Sequence, residues 1–261
     1  MKVVWFMLKE IRSKYFLAGM ALLGFVVPNT VGIQSVTAQL SENIVPNALM
    51  PDTYSARISF IPPADQGTPE QTSSGASRVG DEGERALCSS VVPLVPDTGV
   101  GFTSEEQLSL FVYAPEGAAT EAKLSVESVD GSEEFDAFVQ LPAPGNVGKV
   151  ALPDTLPALK TGERYFWSLV LMCNGDLRPD SPVVTGVVNK VASVLEAEST
   201  VALSMTEKAA VYGEAGLWYD LVTTMAELRM ENPGNAQITE DWMSILTSVG
   251  LEVVADKPLA G

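Results

Sequence analysis

The chain has 261 residues, which is long enough for one or two domains with real hydrophobic cores. It contains no histidine, and this excludes catalytic systems that need a histidine base and zinc sites with histidine ligands. Its formal net charge of −17 argues against nucleic acid as a partner, because an acidic surface repels phosphate backbones.

Residues 1–38 have the pattern of a secretory signal peptide. Basic residues precede a 13-residue apolar run at 15–27, and the small residues Val36 and Ala38 follow it. The run is shorter than the roughly 20 residues that span a bilayer, although an uncleaved anchor is the alternative. We therefore expect cleavage after Ala38, a secreted or periplasmic protein, and membrane contact only through an uncleaved signal segment. Removing four of 16 basic and one of 33 acidic residues leaves a mature chain with a net charge of −20.

Residues 39–87 are rich in Pro, Ser, Thr and Gly and show no sustained hydrophobic periodicity. This composition indicates a linker, or an extended arm that lies along the domain that follows. A short strand at 56–61 is the one element that the pattern suggests here.

Residues 88–195 read as a succession of short strands separated by turns. Asp130-Gly131 and Asn174-Gly175 are typical of tight hairpin turns between apolar runs. The predicted strands are 91–95, 108–114, 122–129, 135–141, 148–152, 164–173 and 183–191.

The segment 156–173 contains the strongest of these strands. Both of its faces are largely apolar, which predicts a central strand buried on two sides. Its approach, Leu159-x-x-Gly162-x-x-Tyr165, is typical of a tyrosine corner, in which the hydroxyl bonds back to the preceding turn. The seven strands and this corner predict an immunoglobulin- or fibronectin-like antiparallel β-sandwich.

The two cysteines, Cys88 and Cys173, are too far apart in sequence for a CxxC redox or metal motif. In a fibronectin-like topology the start of the first strand and the end of the sixth lie at the same end of the sandwich. We therefore predict a Cys88–Cys173 disulfide, with two separate buried thiols as the alternative.

Residues 196–261 show helical signals. Ser204-x-x-Glu207 is a capping box that opens a first helix, a second is predicted over 217–231, and a third from Thr239. Apolar spacing across the first two resembles a tetratricopeptide-like hairpin. Because three short helices bury little surface alone, we expect a helical cap that packs on the sandwich or on a partner.

Several sequence blocks stand out along the chain. They include P-x-x-x-Q-G-x-P-x-x-T from Pro62, Tyr165-x-Trp167-x-Leu169-x-x-x-Cys173, and Gly216-Leu217-Trp218-Tyr219-Asp220, which is the most specific. Together they resemble a cyanobacterial family of exported proteins labelled domain of unknown function nine-twenty-eight. The resemblance implies an exported envelope protein with this two-part layout, and it implies no activity, substrate or catalytic residue.

Residues that could carry chemistry are few. The acidic pairs lie mostly in turns and first helical turns, where solvation and the helix dipole explain them, so we assign no catalytic, cofactor-binding or metal-binding residue. Weak calcium binding at Asp176-x-x-x-Asp180 stays open, although the spacing matches no EF-hand loop. Trp218, Tyr219 and Asp220 are candidate docking or interface residues.

The sequence therefore predicts a non-enzymatic exported protein that works through contacts with an unknown envelope protein. A carbohydrate-binding module is the first alternative and would need a row of exposed aromatics on one strand face. A hydrolase that uses carboxylates only is the second.

Overall fold

The structure is a computed structural model that describes residues 57–64, 88–195 and 203–260. All of these lie in one compact unit, Met50–Gly261. The predicted signal peptide 1–38 and most of the predicted linker 39–87 lie outside the described residues. Within the described ranges, no helix combines the length and the apolar character that a membrane span requires.

The described part of the chain is mainly β, with two sheets followed by helices. The smaller sheet has the order β1-β3-β6, and the larger has the order β2-β8-β7-β4-β5. The strands are β1 Val92–Pro93, β2 Val100–Thr103, β3 Phe111–Ala114, β4 Glu121–Ser128, β5 Glu134–Gln140, β6 Asn146–Lys149, β7 Arg164–Leu171 and β8 Val183–Lys190.

The helices occupy the region where sequence periodicity places them. They are α1 Met205–Glu214, α2 Trp218–Glu231, α3 Ala236–Ser248 and α4 Glu252–Ala255. The predicted capping box of α1 is confirmed, since Ser204 and Glu207 bond each other's backbone N–H groups. Helix α3 begins earlier than predicted, because the Asn235 side chain caps it by accepting from the Gln237 and Ile238 N–H groups.

The predicted central strand β7 does lie inside its sheet, between β8 and β4. However, the prediction that it is buried on both faces is wrong. Its side chains alternate: Trp167 and Leu169 are buried, whereas Phe166 is 48% exposed. The strand therefore has one core face and one outer face, as antiparallel sheets commonly do.

The predicted local signals around β7 are present. The Lys160 N–H donates to the Tyr165 hydroxyl oxygen over 3.0 Å, which is the hydrogen bond of a tyrosine corner. Asn174 and Gly175 both have positive φ, 57° and 81°, as a tight turn between antiparallel strands requires.

Strand β2, like the short helix α4, is an element that the sequence pattern does not reveal. It is four residues long, contains Gly101, and pairs with β8 in parallel, with Val100 opposite Val187. Conversely, the short strand suggested at 56–61 is not formed over its described residues, 57–61. In both places tertiary contacts decide the structure more than local preference does.

Residues 57–64 instead form an arm on the helices. The Ile61 N–H donates to the Gly213 carbonyl over 3.0 Å, and the Phe60 ring packs edge-on against Trp218 at 4.9 Å. A Cβ at Gly213 would lie 2.1 Å from the Ser59 carbonyl oxygen, so only glycine allows this approach.

Sheets, arm and helices share one hydrophobic core. Leu124 and Leu169 of the larger sheet, Val112 of the smaller sheet, and Leu221 and Leu246 of the helices are fully buried in the same cluster. The segment after α4 pairs with the smaller sheet, because the Val147 N–H of β6 donates to the Pro258 carbonyl and the Val147 carbonyl accepts from the Ala260 N–H. The helices therefore pack as part of the domain that contains the sheets.

The predicted disulfide between Cys88 and Cys173 is present in the structure. The two Cα atoms are 5.5 Å apart, within the range that bridged cysteines occupy. The bond joins the residues before β1 to those after β7 across a sequence separation of 85.

We expect the mature protein to contain no free thiol when it is denatured without a reductant, and two after reduction. In the chain-entropy model this bridge stabilises the fold by roughly 4 kcal/mol, so reduction should lower the urea midpoint. Thiol titration and urea unfolding, each with and without reductant, measure the two effects. Two free thiols before reduction would contradict the bridge.

Candidate functional site

The segment Gly216-Leu217-Trp218-Tyr219-Asp220 joins α1 to α2 and is buried almost completely. Gly216 has φ +71°, and a Cβ there would lie 2.6 Å from the Pro63 ring, so the arm and the turn both require glycine. Trp218, Tyr219 and Asp220 are 0%, 4% and 3% exposed. Each of them bonds to a different part of the β structure.

Trp218 connects α2 to the segment that follows β1. Its indole N–H donates to the Leu94 carbonyl over 2.9 Å. Its ring also lies against β2, where a Cβ added to Gly101 would be 3.2 Å from it. Burial of the ring with its N–H satisfied is the usual requirement for a core tryptophan.

Tyr219 connects α2 to β7 and β8, two neighbouring strands of the larger sheet. Its hydroxyl accepts from the Trp167 indole N–H over 2.9 Å and donates to the Val187 carbonyl over 3.1 Å. Burial raises the pKa of the Tyr219 phenol, so the hydroxyl keeps its proton at neutral pH. It therefore acts as a fixed structural link.

Asp220 connects α2 to the end of β2. One carboxylate oxygen accepts from the Thr103 hydroxyl, and the other accepts from the Ser104 N–H and hydroxyl, both over 2.7 Å. Within the described residues it makes no ion pair. Burial raises the pKa of the Asp220 carboxyl, and these hydrogen bonds act in the opposite direction.

Beside Asp220, a cleft of about 280 Å³ lies between the end of β2 and the helices; we call it the helix–sheet cleft. Its floor is buried and its rim is exposed to solvent. The lining residues are Thr103, Glu105, Gln107, Ser109, Met205, Lys208, Tyr212, Tyr219, Asp220, Thr223, Thr224 and Glu227.

Two of the lining groups are bonded across the cleft wall. The Tyr212 hydroxyl donates to Glu105 over 3.2 Å. Burial, together with the neighbouring Glu105 charge, raises the pKa of Tyr212, so this hydroxyl also stays protonated. The wall therefore joins α1 to the loop after β2.

A second surface is the side of the larger sheet that faces away from the core, which we call the outer sheet face. One row across β5, β4, β7 and β8 consists of Phe138, Lys123, Val170 and Val183. Two rows further along lies Phe166, opposite Glu127 of β4. Phe138 is 67% exposed and Val183 43% exposed.

Several acidic groups outside this block form ion pairs at the surface. Asp136 pairs with Lys123 at 2.6 Å, Glu133 with Lys160 at 2.7 Å, and Asp180 with Arg178 at 3.2 Å. Among the described residues, no group of three or more acidic or cysteine side chains is placed to hold a metal ion.

Sequence reasoning identified the buried block but missed both surfaces around it. The alternation in β5 contained a signal for Phe138, since burial of Val139 turns its neighbour outwards. No local pattern could have placed Thr103 or Glu105 beside α2, because that proximity arises from folding.

We expect Trp218→Ala to lower the free energy of unfolding by about 3–5 kcal/mol, because it leaves a cavity and an unsatisfied Leu94 carbonyl. Val253→Ala is the control, since Val253 is 64% exposed and its loss should cost at most about 0.5 kcal/mol. Urea unfolding followed by fluorescence and circular dichroism measures both. A Trp218 variant as stable as the control would contradict the core role.

Comparison with known proteins places the chain in a family without assigning it an activity. No curated protein matches the sequence significantly. A family model described as Domain of Unknown Function (DUF928) matches residues 73–259. This match covers every strand and helix of the described residues and both cysteines. The chain therefore belongs to the DUF928 family.

Proposed function

We propose that the protein is a non-enzymatic exported protein that binds another envelope protein through its outer sheet face. The exposure of Phe138 and Phe166 on that face is the observation that supports this proposal. Large aromatic side chains exposed on one sheet face are typical of interaction sites, where burial of such anchors supplies much of the binding energy.

The apolar groups of the face are arranged as the centre of an interface. Phe138, Val170 and Val183 belong to one row that spans four strands, or about 14 Å at the usual strand spacing. The one charged member of that row, Lys123, pairs with Asp136 of the same face. If a partner covered the row, the Lys123 ammonium group would therefore still be paired with a carboxylate.

The rim of the face is acidic and indicates the chemistry of the partner. Glu127 and Glu134 face each other across β4 and β5 beside Phe166, and Glu121 lies on β4 two residues before Lys123. A second copy of the mature chain would bring the same acidic rim and a net charge of −20, so charge repulsion opposes self-association. The fitting partner is a different protein with an apolar centre and a basic rim.

A carbohydrate ligand is the alternative, and the geometry of the face supports it less. Phe138 and Phe166 lie two strands and two rows apart, roughly 17 Å from strand geometry. The three tryptophans in the described residues are buried. The face therefore offers two separate rings and no continuous row for sugar stacking.

We also infer that the sheets form an immunoglobulin-like sandwich. Its support is the sheet order, in which the first strand segment, β1, joins β3 and β6 while β2 pairs in parallel with the last strand, β8. The tyrosine corner at the start of β7 is a further feature of that class. For α1 and α2, the glycine turn between them supports the tetratricopeptide-like hairpin.

Export is the last part of the proposal. The Cys88–Cys173 bridge fits a compartment where thiols oxidise, and the signal pattern at 1–38 supplies a route to one.

We expect a photoreactive benzoyl-phenylalanine at position 138 to crosslink to one protein other than this chain in the native envelope. Adding Phe166→Ser should reduce the yield about tenfold or more, because an interface anchor is lost. Immunoblotting and mass spectrometry of the adduct measure the yield and the partner's identity.

The photoreactive residue at position 253, where Val253 is 64% exposed, is the matched control and should give no such adduct. Met243→Ser removes a comparably exposed side chain from α3 and should leave the position-138 yield unchanged. Equal labelling from both positions, or an adduct of twice the chain's mass, would contradict the proposal. Binding to a glycan array that Phe166→Ser abolishes would favour the carbohydrate alternative.

We expect the mature protein to begin at Gln39. The small residues Val36 and Ala38 occupy the positions that signal peptidase reads, so cleavage should follow Ala38. Mass analysis of the N-terminal peptide from protein made in its native cells gives the start directly. A chain that retains Met1 would indicate the uncleaved anchor instead.

A further inference from the structure

The helix–sheet cleft is a separate feature that the outer sheet face does not explain. Its volume of about 280 Å³ is close to the lower end of the range for small-molecule sites. The cleft therefore has room for several waters or for one small organic molecule. Asp220, the last residue of the buried segment Gly216–Asp220, lies on its floor.

The hydroxyl groups of the α2 wall offer acceptors to a ligand. Thr223 donates to the Tyr219 carbonyl over 2.7 Å, and Thr224 donates to the Asp220 carbonyl over 2.8 Å. Each hydroxyl therefore donates its hydrogen to a backbone carbonyl of the helix, and its oxygen lone pairs can accept a hydrogen bond from a ligand in the cleft. The Tyr212 hydroxyl likewise donates its hydrogen to Glu105, so its oxygen can also accept.

The charged groups of the cleft also favour a ligand that donates hydrogen bonds. Three carboxylates, Asp220, Glu105 and Glu227, line the cleft with a single ammonium group, that of Lys208. Within the described residues, none of these four groups belongs to a salt bridge. A ligand that suits the cleft must therefore bring N–H donors and positive charge.

From this volume, acceptor set and charge, we propose that the helix–sheet cleft binds a small organic cation with a primary ammonium group. Glu227 and Glu105 at the rim accept from the ammonium, and the threonine hydroxyls of α2 accept its remaining hydrogens. The side chain of Met205 provides apolar contact for a short aliphatic stem. The site is independent of the outer sheet face, so either proposal can fail without the other.

The probe is 1,4-diaminobutane, which has six non-hydrogen atoms, and its control is 1,4-butanediol, which has the same length and no charge. We expect saturable binding of the diamine to the full mature chain at low ionic strength, with amide shifts at Thr223, Thr224 and Lys208 in NMR spectra. The diol should produce no saturable shift, because it lacks the charge that the carboxylates select.

The test variant is Glu227→Gln, which removes a rim charge while keeping the shape of the side chain. We expect its dissociation constant for the diamine to rise up to about fivefold, since an exposed ion pair contributes up to about 1 kcal/mol. Glu214→Gln is the matched control, because Glu214 is an exposed carboxylate on α1 that does not line the cleft. Its dissociation constant should stay within about twofold of the unmodified protein's.

Three results would overturn the proposal. The first is the absence of saturable shifts at cleft residues with the diamine, and the second is equal binding of the diol. The third is equal weakening by Glu214→Gln and Glu227→Gln, which would mean that the diamine responds only to the protein's overall negative charge. Asp220 is not varied in this test, because it holds α2 to β2 and its loss would perturb the fold itself.

Discussion

The attachment of α2 to the larger sheet through a buried carboxylate is the interaction on which the rest of the structure depends. Asp220 accepts from the Thr103 hydroxyl and from both donors of Ser104. The Lys190 ammonium group in turn donates to the Ser104 carbonyl over 3.0 Å. A carboxylate this deeply buried is tolerated because three donors surround it, and their geometry determines where the first turn of α2 lies.

Other contacts become possible once that turn is placed. The Trp218 indole bonds to the Leu94 carbonyl and packs against the Phe60 ring, so it contacts both the arm and the segment after β1. Tyr219 reaches Trp167, whose ring lies above Gly186 so closely that an added Cβ would be 2.5 Å away. Glycines at these approaches, and not side-chain bulk, allow helices and strands to share a core.

Much of the fold could be predicted from the sequence because its signals are local. The capping box at Ser204, the tyrosine corner at Tyr165 and the glycine turns report geometry that neighbouring residues impose. What could not be predicted depends on distant contacts. The exposed side of β7 was assigned to the core because Phe166, Val170 and Met172 are as apolar as buried residues. Only the pairing of β7 with β4 and β8, and the placement of the helices on its other side, leave that face uncovered.

The same dependence explains why the candidate site lay partly beyond sequence reasoning. The block Trp218-Tyr219-Asp220 was recognisable because three chemically distinct side chains follow a glycine turn, yet their partners come from positions 32 to 124 residues away. Asp220 serves both the fold and the cleft, since the carboxylate that receives Thr103 and Ser104 also lines the cleft floor. A substitution at a residue of that kind cannot distinguish a binding role from a structural one. A substitution at an exposed rim residue outside the core, such as Glu227, can test the proposed ligand binding without disturbing the buried block.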